Sequence, residues 1–401
     1  MKMTVSIGVG IGDAVDAEKA VQSAVEQAHA QLGGAPAQAA YITATVDYEA
    51  ARVHTAFREA LAGVPLHGVT TSLGVLTSAG VRNEGHGAVA VMLVGGAPGM
   101  AFVASSTEAD GRRAGEAAAR ELVRKAGRKM PRMILFNASP GVEEAMLEGI
   151  ASVCPDVPCQ GGSAADHAIA GQWSVFTHEG PVPAGVSLLG LFGEVRVGTA
   201  LSTPYFPTGV AARATGAEGR TLLTLDGQPA AQVLGRWMEG TIDDQVRAGG
   251  NILAQTALRP IAVRRSVSHR DHYVTVHPAH VHADRGAVDV FARIEPQDEV
   301  CLMTGTAEGL VNDVAHLIDM ALAQGGLNSR EVKGAALIFC AGCAGALGPR
   351  VDEGLRTFSR LLPGVPLLGL CTFGEQGHIP GLGNVHQDLS LSLTLFADPR
   401  P

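Results

Sequence analysis

Three times along this 401-residue chain, an apolar strand-like run is followed by a helical pattern and then by Val-Pro-x-x-Gly opening onto a polar loop. The copies are Tyr41–Val46 leading to Val64-Pro65-Leu66-His67-Gly68, Met133–Phe136 leading to Val157-Pro158-Cys159-Gln160-Gly161, and Ala336–Phe339 leading to Val365-Pro366-Leu367-Leu368-Gly369. Proline forces its predecessor into extended geometry, so each helix ends there and a strand re-enters after the turn. In the third copy Leu355, Phe358, Leu361 and Leu362 share one face at a 3.6-residue period. Strand–helix–strand repeats of this kind dictate parallel pairing with right-handed crossovers. The second and third copies are each preceded by another strand and helix, Met100–Ala104 with Ala114–Val123 and Val300–Thr304 with Leu310–Leu322. Residues 88–166 and 287–375 therefore read as two copies of one larger unit, with a period too long for a solenoid.

The fold expectation is α/β: two related lobes of repeated strand–helix–strand units, with an additional mixed α+β segment in the middle. Between the copies Thr199–Trp237 changes texture. Thr221–Leu225 alternates as a strand, Asp226-Gly227 makes a turn, and Pro229 stands where a helix begins. The lobe boundary falls near Phe192–Thr199, which divides the chain into domains 1–197 and 198–401.

Aromatic residues make up only 4% while glycines number 51, so the cores must be built from Ala, Val and Leu with close backbone approaches. A formal net charge of -9 repels phosphate backbones, and no basic cluster interleaves with aromatics, which excludes nucleic acid as a partner. Met1–Asp13 lacks the apolar core and cleavage site of a secretory leader, and no apolar run approaches the roughly 20 residues of a membrane span. Six scattered cysteines make no disulfide framework. The expected compartment is the cytoplasm, with no membrane partner.

Five segments, in order along the chain, resemble the FIST family of small-ligand-binding sensory modules. Gly68-Val69-Thr70-Thr71-Ser72 is similar to the G-x-T-T turn of the N-terminal module, and Gly161-Gly162-Ser163-Ala164-Ala165-Asp166 to its later G-G-S-A-x-D segment. Leu225-Asp226-Gly227-Gln228-Pro229-Ala230 resembles the opening of the C-terminal module. Gly369-Leu370-Cys371-Thr372-Phe373-Gly374-Glu375 and Asn384-Val385-His386-Gln387 resemble its G-x-x-x-x-G-E turn and closing strand. The resemblance implies an intracellular sensor of a small polar ligand, an amino acid or related metabolite, that passes its signal to a protein partner, since no output domain is left over. There are two departures. Leu73-Gly74 stands where the family often has G-E, and Cys340-Ala341-Gly342-Cys343 lacks the arginine of the family's C-x-G-R. Arg350 substitutes only if its loop folds back.

Loops at strand ends are where α/β sheets bind ligands. Thr70, Thr71 and Ser72 offer hydroxyls and N–H groups to a carboxylate or amide. Gly161, Gly162 and Ser163 do the same, with Asp166 for an ammonium, and Thr372, Gly374, Glu375, Asn384 and His386 extend the set. Each residue type also serves turns and helix caps. Cys340 and Cys343 form a C-x-x-C between strand and helix, open to a redox reading or to two small buried residues in a turn. An enzyme using Cys340 or Ser163 as nucleophile and a ligand-free interaction scaffold are the alternative functions. The Ser163, Asp166, His167 cluster does not match G-x-S-x-G, and Gly8-Val9-Gly10-Ile11-Gly12 departs from G-x-G-x-x-G. The histidine run His269, His272, His277, His280 and His282 has no supporting Cys or carboxylate pattern. No metal and no cofactor are expected.

Overall fold

In the computed structural model, which describes residues 5–83 and 85–400, the three Val-Pro-x-x-Gly copies fold alike. The valine N–H closes the preceding helix end on the carbonyls of Leu61, Cys154 and Leu362. The proline carbonyl then accepts from Ala40, Ile134 and Ala335 of the preceding strand, each at 2.9 Å. Proline lacks an N–H, so it fits only where a strand opens and no donor is required. The glycine lies against the neighbouring backbone. A Cβ on Gly68 would sit 1.8 Å from the Ile42 carbonyl oxygen, and one on Gly161 would sit 1.7 Å from that of Phe136.

These units build three sheets of one strand order. The first runs Ser6–Gly12, Val89–Gly95, Ala37–Thr45, Leu66–Thr71; the second Ala101–Ser106, Val186–Leu191, Met133–Ala138, Cys159–Ser163; the third Arg196–Ser202, Leu391–Ala397, Val332–Cys340, Leu367–Thr372. In each, the last two strands are parallel and the second is antiparallel to both its neighbours. In each sheet the edge at the last of these strands is then covered by a hairpin from another unit. Val75–Thr77 and Gly80–Arg82 extend the third sheet, Glu375–Ile379 and Gly383–Gln387 the second, and Val175–Phe176 with Pro181–Val182 the first. The exchange is cyclic, so no sheet is complete without another unit.

The α/β class, the related lobes and the mixed middle segment are as predicted, with two units in the first lobe and one in the second. The leading strand of the third unit is Arg196–Ser202, whereas the sequence pattern pointed to Val300–Thr304. That stretch belongs to the segment inserted before helix Ala307–Gly325. The insertion forms a nine-stranded antiparallel sheet with its own core around Leu222, Leu234, Ile261, Val281 and Leu302. It leaves and returns on adjacent strands, Phe206 pairing with Thr304. Asp226 and Gly227 both take positive φ at a hairpin turn there, and helix Ala230–Trp237 starts directly after Pro229.

Small residues are used as the composition requires. Cβ atoms on Gly8, Gly10 and Gly12 would lie 2.0, 1.8 and 1.9 Å from carbonyl oxygens of Ala28, Ala24 and Ala20. The Gly-x-Gly-x-Gly run is thus a strand face pressed on helix Ala17–Gln31, not a nucleotide loop. The six cysteines are free and buried. Among the described residues no helix is long and apolar enough to cross a membrane. The first four residues, part of the stretch read for a leader, lie outside the described residues.

Candidate ligand cavity at the strand ends

The C-terminal ends of Leu66–Thr71, Cys159–Ser163 and Leu367–Thr372 converge, and hydrogen bonds tie their loops into a ring. The Ser72 N–H donates to the Cys371 carbonyl at 3.0 Å, and the Cys371 N–H to Thr71 Oγ1 at 2.8 Å. Phe373 donates to the Ser163 carbonyl at 3.2 Å, and Ser163 to that of Gly374 at 3.0 Å. Ala165 closes the ring on the Thr70 carbonyl at 3.0 Å. The ring borders a cavity of about 640 Å³, whose far wall is contributed by the inserted segment through Arg220, Leu253, His277 and Phe291.

Most of the lining is apolar, including Leu73, Pro140, Ile169, Trp173, Phe291 and Phe373. Trp173 and Phe373 meet edge to face at 6.1 Å. Leu73 and Ile169 stand at the rim, 39% and 45% exposed, with φ of 59° and 55°. Left-handed backbone costs a branched residue about 1–2 kcal/mol, and such strain concentrates at functional sites. Two contacts hold Leu73: its N–H donates to His167 Nδ1 at 3.3 Å, and its carbonyl accepts from Asn83 at 3.1 Å. His167 Nε2 in turn meets Asp47 at 3.0 Å.

The polar end is built from buried and half-buried ions. Arg220 Nη2 donates to Glu143 and Glu144, each at 2.7 Å. Glu143 also accepts from the Gly141 N–H at 2.8 Å and the Ser163 hydroxyl at 2.7 Å. Asp388 faces the cavity, accepts from the His277 N–H at 2.9 Å, and is pushed by burial up to about 6. Burial also pushes His277 down to about 4, which keeps its ring neutral.

The structure sorts the residues expected from the sequence into three groups. Ser72, Cys340, Thr372 and Gly374 line the cavity. Thr70, Thr71, Gly161, Gly162, Ser163, Asp166 and Glu375 lie behind it and build the loops. The Asp166 carboxylate caps the N–H groups of Ala168, Ala170 and Gln172, so it is spent on its own loop rather than facing an ammonium. Glu375 is pushed well above the carboxylate range by burial, and accepts from Thr372 Oγ1 at 2.9 Å and Ser390 Oγ at 3.1 Å. Cys343 lies buried beneath Cys340, 3.6 Å from the Tyr205 hydroxyl. The hydrogen bond between the two thiols, together with burial, pushes Cys340 well above its ordinary range, the reverse of an activated nucleophile.

The third group does not line this cavity, although His386 Nε2 lies 3.8 Å from Asp388 Oδ1. Arg350 does not fold back: it pairs with Glu308 at 2.8 Å and Glu353 at 2.9 Å on the surface. Asn384 clamps the Cys159 N–H and the Val157 carbonyl, both at 2.9 Å. His386 and Asn384 border a separate cavity of about 460 Å³. Ser163, Asp166 and His167 turn to different partners, and among the described residues no group of three or more His, Cys, Asp or Glu could hold a metal ion.

Sequence reasoning missed Arg220, the arginine that lines the cavity where Arg350 does not, and also Trp173, Phe291 and Asp388. Arg220 lies between a Gly219 turn and a short strand with no motif around it. His277 stands in the histidine run, which is weighed only for metal binding and found without support.

The sequence matches the FIST N domain over residues 38–228 and the FIST C domain over residues 230–378. The chain belongs to the FIST family. FIST domains are associated with sensing in signal transduction. No curated protein matches the FIST chain significantly. A solved cyanuric acid hydrolase is similar at 8% identity and a TM-score of 0.38, covering 98% of this chain and 100% of that one. PurLQS from Thermotoga maritima is similar at 10% identity and a TM-score of 0.23, covering 99% of this chain and 74% of that one. Neither likeness carries a functional argument.

Proposed function

We propose that this FIST protein is an intracellular sensor that binds a small amphipathic metabolite, an amino acid or a derivative of one, in the strand-end cavity. The observation that carries the reading is the cavity itself: about 640 Å³, mostly apolar, closed by two different parts of the chain, with charged groups at one end. Such a shape selects an apolar body with a polar head. The alternative of a Cys340 nucleophile is disfavoured by the thiol's raised pKa. A signalling protein is the proposed partner, reading the position of the inserted segment.

Thermal-shift screening with amino acids, amines and small carboxylates tests the reading, because a ligand that binds only the folded state must raise the melting temperature. Gly345 supplies the control. It lines the cavity from helix Ala341–Leu347, and a Cβ there meets nothing within 4 Å. Gly345→Leu should fold, fill the cavity and abolish the shift. A ligand whose shift survives in this variant binds somewhere else.

A further inference from the structure

The polar end of the cavity has an uneven charge. Two glutamates, Glu143 and Glu144, meet one arginine, Arg220, so that cluster is net negative before Asp388 is counted. Among the described residues both side-chain hydrogen bonds of Arg220 run through Nη2, and both go to these carboxylates. A ligand carboxylate arriving there would face two like charges across a single guanidinium. Asp388 is in the opposite position. Its Oδ2 takes the His277 N–H at 2.9 Å, while among the described residues Oδ1 receives no hydrogen bond and has His386 Nε2 3.8 Å away.

That histidine lies beyond hydrogen-bond distance of the carboxylate. Gln376 Nε2 lies 2.9 Å from His386 Nδ1, and His386 Nε2 lies 3.3 Å from the Phe291 carbonyl, so both ring nitrogens have nearer partners than Asp388. A buried carboxylate with one oxygen unbonded beside a mostly apolar cavity, with Arg220 in its wall but not bonded to it, is costly unless an occupant supplies a donor. Phe291, Trp173 and Phe373 complete the surroundings with aromatic surface, which attracts cations as well as apolar groups.

The geometry points to a hydrophobic primary amine as the ligand class, its ammonium on Asp388 Oδ1 and its apolar body against Trp173, Phe291 and Phe373. This rests on the cavity being a ligand site and sharpens which ligand it takes: a cation in place of a carboxylate or a zwitterion.

The test is calorimetric titration of the full chain at pH 7.5 with three matched probes, 2-phenylethylamine, 3-phenylpropionate and phenylalanine, repeated on Asp388→Asn and Gly345→Leu. The expected result is binding of the amine at least tenfold tighter than the other two, lost in Gly345→Leu and weakened tenfold or more in Asp388→Asn. Phenylpropionate or phenylalanine binding as tightly as the amine overturns the amine class and leaves the cavity reading standing. So does amine binding that Asp388→Asn leaves unchanged. If none of the three binds while another small molecule does so in a Gly345-dependent way, the amine class falls alone. If nothing binds, both readings fall.

Discussion

Asp388 illustrates at the scale of one residue how a site departs from what folding alone would select. Its carboxyl sits at about 6 in the folded protein against an ordinary 3.8, with burial as the main cause. His386, His277, Arg220, Glu143, Glu375 and Cys340 face it from the surrounding elements. A raised acid binds its proton more tightly when folded. The stability it contributes is therefore complete below about pH 4 and lost as pH rises through 6. A shift of about two units corresponds to roughly 3 kcal/mol at most at pH 7.5. Asp388→Asn should accordingly stabilise the ligand-free protein at pH 7.5 by up to about that amount and change little at pH 4, as urea denaturation at the two pH values would show. A variant destabilised at pH 7.5 would mean that the carboxylate serves the fold.

Among the elements, the Val-Pro-x-x-Gly unit was legible because each of its residues answers a local need: a helix end, a strand opening without a donor, a backbone contact without a Cβ. The loops after it were legible as places but not as contacts. Thr70, Ser163 and Glu375 belong to types that serve turns and ligands equally, and only tertiary pairing assigned them to the loops. Leu361 shows a similar limit. Its helical spacing predicts burial, yet it is 37% exposed at the end of helix Val351–Leu361, while Leu355 and Phe358 are buried. The glycine argument makes a paired prediction. Gly161→Ala places a methyl 1.7 Å from a carbonyl oxygen and should cost about 3 kcal/mol or more. Gly345→Ala meets open space inside a helix and should gain about 0.5–1 kcal/mol. Equal effects in chemical denaturation would remove the packing explanation for the motif.

For the whole molecule, the decisive arrangement is one that no local pattern announces. Hairpins exchanged in a cycle among three sheets make the body a single cooperative structure, and the inserted segment joins it through paired strands at Phe206 and Thr304. Across the seam the body presents Glu143, Glu144 and Glu148, and the insertion presents Arg220 and Arg293. Polar interfaces of this kind allow their two sides to shift. A molecule filling the cavity touches both, since Trp173 and Phe373 come from the body and Phe291 and His277 from the insertion. Binding should therefore slow hydrogen exchange in residues 163–173 and 275–293 together, while strand Ala37–Thr45, buried in the first sheet, stays unchanged. Protection confined to residues 163–173 would place the ligand on the body alone. It would also remove the inserted segment as the element whose position reports occupancy.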